Sequence, residues 1–479
     1  MAKTYEELSG AIGQARFFRP TRHDALAVFC GAPPSVYFDE QELSLIDISG
    51  VGLGCVMQGA AEEGALNAIN SRGVLRLVQR GREIYRTKAR CARMNDARGR
   101  TVAGFALEDD IFDFDLLRVA NAKALASDAG AQAAPETPVD YKALCADTLE
   151  FVGRLLGEID RHITPIETKL TSAEKAQIVS EIEGASRSRW DEILQAGNEL
   201  VRPMHDDKKL RASLKRYTEN TVTRVLVGGS SWGRSYFKPA GYPGDYQIMN
   251  FMYDQTPIGA TAREMLLHSL GVSAGEPIVT RMRKLAEIIV EYGERRKGEG
   301  RRIDTMSIGS GPARELERIA QISSDGLLWR TALVDQEPQA IEYALSYARQ
   351  KGIDRTIDID PINMSFTEML APSTVTGHFV EKDIIYSSGM VDYLSPMLAR
   401  RFVKRMYDFL RPGGLLIIGN VNDLTTGTLW PMEYILDWTL YFRNYEEMVA
   451  MAAGVDGASV RIIEDDRKAI YFLVLEKPA

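Results

Sequence analysis

A glycine-rich turn followed at a distance by an acid is the feature of the sequence that most directly suggests chemistry. The run DTMSIGSGPAR places Gly309, Ser310 and Gly311 directly after an apolar stretch. Glycines leave the backbone bare where a nucleotide-like ligand must come close, and the helical segment ARELERIA behind them has free N–H groups that would face it. A second apolar run, LLWRTALVD, ends at Asp335, which Gln336 follows. An acid about 25 positions beyond such a turn is typical of ribose binding, so the pattern predicts a nucleotide-like ligand here.

The elements that must hold these residues alternate between helix and strand. An amphipathic segment precedes the turn, with apolar residues at helical spacing up to Tyr292. After Asp335 the chain reads as helix (EPQAIEYALSYARQ), strand (TIDIDPINMSF), strand (DIIYSSGMVDYL), helix (LARRFVKRMYDFL) and strand (RPGGLLIIGNV), which predicts a parallel α/β sheet. Two further strands, ASVRIIED and AIYFLVLEKP, are joined by the turn-like DRK and predict a terminal antiparallel hairpin.

This order of motifs resembles that of S-adenosylmethionine-dependent methyltransferases of the Rossmann-like class, over about residues 280–479. Besides the glycine turn and Asp335, the resemblance rests on the segment after the third strand, on 383–393 around the fourth strand, and on the RPGG that precedes the fifth. One position departs from the pattern, since Ser307 stands where many relatives carry an acid.

The resemblance implies S-adenosylmethionine as the cofactor and gives several residues a role in binding it. The glycine turn would approach the methionine moiety and Asp335 would accept hydrogen bonds from the ribose. The residues implied at the adenine edge and below the sulfonium are Asn363, Met364 and Ser365, and Ser387, Ser388, Gly389 and Met390.

A second resemblance lies in residues 228–253, GGSSWGRSYFKPAGYPGDYQIMNFMY, which we expect to form an irregular functional loop. Its KPxGYxGDYxxMN pattern is similar to an element of bacterial synthases of 3-hydroxy fatty acid methyl esters, the quorum signals called extracellular factor. The resemblance implies carboxyl O-methylation of a hydroxy fatty acid or a similar small acid. It also implies that Asp245 holds the cofactor amino group and that Tyr242 and Tyr246 close over the cofactor as a lid.

The chemistry of the transfer leaves the acceptor open. A carboxylate is ionised at neutral pH and needs no general base, which suits a chain with no obvious Ser/His/Asp arrangement. An amine or hydroxyl acceptor on a specialised metabolite would need a base, for which Asp392 or His378 are the candidates. The candidate catalytic residues are Asp245, Tyr246, Asp392 and Tyr393. No metal site is predicted.

The first 125 residues read as short strands separated by turns, the first of them ALAVFC, which predicts a small β-barrel. The run DISGVG resembles the second signature of PilZ domains, the bacterial receptors for cyclic di-GMP. Arg16, Arg19 and Arg22 stand at intervals of three, whereas the first PilZ signature places two arginines four apart. We therefore expect weak or absent binding of cyclic di-GMP and a barrel used for interdomain or subunit contacts. A nucleotide-responsive protein with a methyltransferase-like partner surface is the alternative of another class.

Size and composition predict a multidomain protein and exclude several classes. The 479 residues divide into the PilZ-like barrel (1–125), a linker (126–140), a helical cap (141–280) and the methyltransferase domain (281–479). A formal charge of −8 gives nucleic acid no attraction, and four cysteines without a CxxC pair predict neither disulfides nor zinc. No run approaches the roughly 20 apolar residues that span a bilayer, and no signal-peptide core is evident, which favours a cytoplasmic protein. The sequence leaves open whether the protein forms a homodimer.

Overall fold

The structure, a computed structural model, describes residues 22–29, 32–57, 69–97, 100–108, 110–129, 137–370, 379, 381–422 and 428–479. It divides into two compact units, Met1–Pro135 and Glu136–Ala479. The predicted cap and methyltransferase domains fall in the same unit. Their side chains share one hydrophobic core, in which Trp190 of the helical region and Leu415 of the sheet both lie.

The first unit is a closed antiparallel β-barrel, as the sequence predicted. Six strands close in the order β3-β2-β5-β6-β7-β4, because β3 pairs with β4 as well as with β2. Inward residues such as Val36, Phe38, Leu75 and Leu77 alternate along neighbouring strands and fill the interior. The elements are β1 (His23–Asp24), α1 (Ala25–Val28), β2 (Ser35–Phe38), β3 (Gln41–Ser49), β4 (Gly52–Met57), β5 (Arg72–Gln79), β6 (Arg82–Ala97), β7 (Arg100–Leu107) and α2 (Phe114–Ala129).

One element of the barrel differs from the prediction, and the contacts of the PilZ-like run could not be predicted from the sequence. The run ALAVFC, expected to be a strand, forms helix α1, because the Asp24 carboxylate accepts a hydrogen bond from Ala27 N at 3.1 Å and caps the turn. Within the PilZ-like run, Asp47 is paired with the guanidinium of Arg22 and Ser49 Oγ donates to the Gly52 carbonyl at 3.1 Å. The other two arginines of the expected signature, at 16 and 19, lie outside the described residues.

The second unit begins with helices. The longest starts in a capping box, in which Thr171 and Glu174 satisfy each other's backbone N–H groups. Trp190 on this helix is fully buried and donates from Nε1 to the Leu270 carbonyl at 2.9 Å. The helices are α3 (Val139–Glu158), α4 (Ser172–Val201), α5 (Lys208–Thr218), α6 (Arg224–Leu226), α7 (Ser230–Phe237), α8 (Tyr246–Asp254), α9 (Ala262–Ser273) and α10 (Glu276–Arg296).

The predicted domain limits need correction in this region. Helix α2 runs to Ala129 and α3 begins at Val139, so both ends of the predicted linker 126–140 are helical. The boundary predicted at 280 falls inside α10, whose buried residues Leu285 and Ile289 belong to the core that the helices share with the sheet. A helix that packs on both sides cannot be divided between two domains.

The segment 228–253 is more regular than its glycines and tyrosines suggested. Apart from Gly228 and Gly229 at its start, it forms helices α7 and α8 with the irregular stretch 238–245 between them. Lys238 ends the first helix in the left-handed conformation, with a φ of 49°, and Asp245 caps the second by accepting from Gln247 N and Ile248 N at 3.0 Å. The prediction of a wholly irregular loop was therefore wrong, because local capping offsets the low helix propensity of the glycines.

The rest of the unit is a seven-stranded sheet in the order β10-β9-β8-β11-β12-β14-β13. The first five strands are parallel, and β14 runs antiparallel between β12 and β13, which confirms the predicted α/β sheet with a terminal hairpin. The strands are β8 (Ile303–Ile308), β9 (Trp329–Asp335), β10 (Ile357–Asn363), β11 (Lys382–Ser387), β12 (Leu410–Val421), β13 (Ser459–Glu464) and β14 (Ile470–Glu476). The helices are α11 (Glu315–Ile322), α12 (Pro338–Lys351), α13 (Phe366–Leu370), α14 (Pro396–Asp408) and α15 (Tyr445–Ala450).

Candidate active site

A cavity of about 580 Å³ opens where the order of the strands reverses, at the carboxyl ends of β8, β9 and β11. This is the position at which open parallel sheets bind their ligands. The structure brings most of the predicted site residues together in its wall. These are Tyr242, Tyr246, Gly309, Ser310, Gly311, Asp335, Gln336, Met364, Ser388, Gly389, Met390, Asp392 and Tyr393.

The glycine turn is fastened to the end of the neighbouring strand. Gly309 and Gly311 have φ angles of 63° and 52°, which side-chain-bearing residues rarely adopt. The N–H of Gly311 donates to Asp335 Oδ2 at 2.8 Å, and the N–H of Glu337 donates to Oδ1 at 2.9 Å. Burial raises the pKa of Asp335, although these N–H groups oppose the rise. The carboxylate therefore both shapes the turn and faces the cavity.

The end of β11 supplies a second polar wall. Asp392 is almost fully buried and its Oδ1 accepts from Val421 N at 2.7 Å. Its pKa is raised by burial, and the guanidinium of Arg281, 3.9 Å from Oδ2, opposes this. The hydroxyl of Tyr393 accepts from Trp438 Nε1 at 2.9 Å, which fixes the ring in the wall.

Four predicted residues do not line the cavity. The buried Asp245 caps α8 and accepts from Arg234 Nε at 2.8 and 2.9 Å, so its lone pairs are used within the fold. Asn363 donates from Nδ2 to the Asp335 carbonyl at 2.9 Å, and Ser365 forms a cap with Glu368. The fourth, Ser387, is buried beneath the wall. In place of Asn363 and Ser365, the side chains of Met364 and Phe366 reach the cavity.

The turn 238–245 forms part of the cavity wall. Tyr242 donates from its hydroxyl to Glu337 Oε2 at 2.7 Å, just beyond the Asp335 strand. Gly244 lies so close to Trp438 that an added Cβ would be 2.5 Å from the indole. The turn therefore contacts both the segment that follows β9 and the segment 428–440.

Two charged residues in the wall were missed by sequence reasoning. Arg281 on α10 is 8% exposed, and Glu315 at the start of α11 is 7% exposed. An arginine on the apolar face that carries Leu285 and Ile289 was one available signal. A glutamate directly after the glycine turn was the other.

The part of the wall contributed by the helices and by the segment 428–440 is largely apolar. The apolar residues there include Trp232, Met249, Met252, Ile278, Pro431, Met432, Leu436, Trp438 and Leu440.

No helix of the described chain is long and apolar enough to cross a membrane. No group of three or more His, Cys, Asp or Glu side chains among the described residues is placed to hold a metal ion. His378 lies outside those residues.

No protein-family model and no curated protein sequence matches the chain. Among solved structures, it is similar to a possible exported protein from Bordetella parapertussis at 16% identity and a TM-score of 0.39, covering 56% of this chain and 96% of that one. It is similar to a putative S-adenosyl-L-methionine-dependent methyltransferase from Methanococcus maripaludis at 17% identity and a TM-score of 0.32, covering 49% and 94%. A third is the magnesium protoporphyrin IX methyltransferase of Synechocystis with bound SAH, at 12% identity and a TM-score of 0.32, covering 42% and 86%.

Proposed function

We propose that this protein is an S-adenosylmethionine-dependent methyltransferase. The observation that carries the proposal is the junction of the glycine turn with the acid at the end of the next strand. Gly311 N donates to Asp335 Oδ2 at 2.8 Å at the point where the strand order reverses. A bare backbone and an acceptor for hydroxyl groups thus stand side by side, as an adenosine-containing ligand requires.

The residues present fit this cofactor. Gly309 and Gly311 hold the backbone open, the Asp335 carboxylate accepts from the ribose hydroxyls, and Met364 and Phe366 form an apolar edge for the adenine. When bound, the cofactor supplies a methyl group on a positively charged sulfur, which is already activated for in-line displacement. The protein must then align the acceptor and exclude water. The turn that places Tyr242 in the cavity wall serves the second task.

The acceptor we favour is the carboxylate of a hydroxy fatty acid or a similar small acid. The apolar wall around Trp232, Met252 and Leu436 offers an alkyl chain a surface away from water. A carboxyl group with an ordinary pKa near 4 is ionised at neutral pH, so the protein need only orient it. The motif similarity in 238–250 supports the same acceptor class.

An amine or hydroxyl acceptor is the second candidate, and Asp392 is the observation that favours it. This carboxylate lines the cavity, and burial raises its pKa towards the range in which it can take a proton from an acceptor. Deprotonation by Asp392 would then accompany transfer.

For the barrel we propose a contact role, between subunits of a homodimer, in place of nucleotide sensing. The Asp47 carboxylate of the PilZ-like run is already paired with Arg22. The surface of the barrel unit also carries exposed apolar side chains, among them Ile111, which precedes α2, and Leu116, which lies on it.

The proposed function is tested by binding first and by turnover second. Calorimetry with S-adenosylhomocysteine should give saturable one-to-one binding. Incubation with methyl-labelled S-adenosylmethionine and a bacterial extract, followed by mass spectrometry, should then reveal a labelled small molecule. A labelled ester that alkali hydrolyses identifies a carboxyl acceptor, whereas an alkali-stable product identifies the amine or hydroxyl alternative. Absence of binding to S-adenosylhomocysteine would refute the proposal.

A further inference from the structure

Two buried, oppositely charged side chains in the cavity wall have no role in the function proposed above. Arg281 and Glu315 are each more than nine-tenths buried and both line the cavity. Burying charge is costly unless a partner of opposite charge compensates it. Their arrangement therefore points to a ligand.

Glu315 comes directly after the glycine turn and reaches back beneath it. Its Oε1 accepts from Tyr386 Oη at 3.1 Å and from Ser307 Oγ at 3.3 Å. Burial raises the pKa of its carboxyl group. Within the described chain, no lysine, arginine or histidine nitrogen forms an ion pair with it. The Glu315 carboxylate thus lies beside Ser307, the position at which the sequence lacks the acid that the methyltransferase pattern predicts.

Arg281 lies on α10 and reaches the cavity wall from that helix. Its closest carboxylate is that of Asp392, with Nη1 and Oδ2 3.9 Å apart, beyond hydrogen-bonding distance. Its Nε is buried and has no partner among the described residues. Gly389 makes room for the guanidinium, since a Cβ at that position would lie 2.6 Å from Nη1. Nη2 donates to Met249 Sδ at 4.0 Å, so Nε is the donor that is left for a ligand among the described residues.

We propose that Arg281 and Glu315 together bind an α-amino acid group, and that this group is the methionine end of the cofactor. The planar fork of Arg281 matches a carboxylate, and the Glu315 carboxylate accepts from an ammonium group. A ligand that carries both charged groups on one carbon compensates both buried side chains at once. This inference rests on the proposed function, because it assigns one end of the same cofactor.

The test compares two ligands that differ only at this end. S-adenosylhomocysteine carries the amino acid group, whereas 5′-methylthioadenosine has the same adenosine and a thioether but lacks it. Calorimetry is carried out on the full chain and on the Glu315→Gln, Arg281→Gln and Arg281→Lys variants. Each should lose roughly ten- to a hundred-fold in affinity for S-adenosylhomocysteine, as expected for a charge-assisted hydrogen bond, and keep its affinity for methylthioadenosine. Arg281→Lys retains the charge and should lose least.

Matched controls come from the same two helices. Arg283→Gln on α10 and Glu317→Gln on α11 remove the same charges from positions that do not line the cavity, and both should bind like the wild type. Unchanged affinity for S-adenosylhomocysteine in folded Glu315→Gln and Arg281→Gln would overturn the inference. Equal loss for both ligands would also overturn it, because methylthioadenosine cannot contact these groups through an amino acid. Wild-type protein that binds neither ligand would instead refute the proposed function.

Discussion

Replacing Asp335 by alanine should weaken cofactor binding through two contacts at once. The carboxylate is 7% exposed and faces the cavity, where it would accept from the ribose. It also holds the glycine turn, through Gly311 N at 2.8 Å, and the start of α12, through Glu337 N at 2.9 Å. Alanine removes the ribose acceptor and releases the turn that approaches the rest of the cofactor.

The size of the effect follows from the contacts. A hydrogen bond to a charged group contributes about 1.5–3 kcal/mol, which corresponds to roughly a 10- to 150-fold rise in Kd. The two backbone N–H groups are partly exposed, so water can replace part of what they lose. We therefore expect the free energy of unfolding to fall by only about 1–3 kcal/mol.

Calorimetry with S-adenosylhomocysteine measures the affinity, and urea denaturation measures the stability. Asp335→Asn should fall between wild type and alanine, because it keeps one oxygen as an acceptor but loses the charge. Asp358→Ala is the control, since this carboxylate lies half-exposed on β10 in an ion pair with Arg302. An Asp335→Ala variant that binds like the wild type, or an Asp358→Ala variant that loses as much, would refute the placement of the ribose.

Other changes test other parts of the structure. Asp245→Asn should lower the unfolding free energy by about 1–3 kcal/mol by breaking the pair with Arg234, with cofactor affinity unchanged; a loss of turnover at unchanged stability would restore a direct role. Burial lowers the pKa of His268 from its usual 6.5 to about 4. The unfolded chain therefore takes up a proton first, and the contribution of His268 to stability should fall by about 3 kcal/mol between pH 6.5 and 4; the loss of stability measured by denaturation should be smaller by that amount in His268→Phe. Gly389→Ala should displace the Arg281 guanidinium and weaken S-adenosylhomocysteine binding about ten-fold while sparing methylthioadenosine; equal affinity for the former would contradict this. Cyclic di-GMP should bind weakly or not at all, and a submicromolar Kd in a titration of the wild type would show a working receptor.

The parts of the fold that local pattern determines could be predicted from the sequence. Apolar runs between turn residues gave the barrel strands, and the alternation after Asp335 gave the parallel sheet. Helix α1 was missed because a cap at Asp24 outweighed the apolar run that follows it. The structural role of Asp245 was missed for a related reason, since the same aspartate that suits a ligand also suits a helix cap and an arginine.

The site could be predicted only where it lies on one continuous motif. Gly309 and Gly311 follow the end of β8, and Asp335 is the last residue of β9. Because these two strands are neighbours in the sheet, the spacing along the sequence predicts that the three residues lie close together. Arg281 reaches the cavity from a helix that ends before β8 begins, and nothing in its spacing to Glu315 encodes that approach. Only the packing of α10 across the sheet brings the two together, and that packing is a tertiary property.

The position of β14 inside the sheet has a consequence for how the protein is made. This strand pairs with β12 on one side and with β13 on the other, although it is the last strand of the sheet in chain order. During synthesis β12 keeps an unpaired apolar edge until residues 470–476 leave the ribosome, and β13 cannot replace β14 at that edge in the native order. Ile470, on β14, also lines the cavity. A nascent chain therefore gains a complete cavity wall only after β14 has been translated, and ribosome-bound chains arrested before 470 should need protection from aggregation.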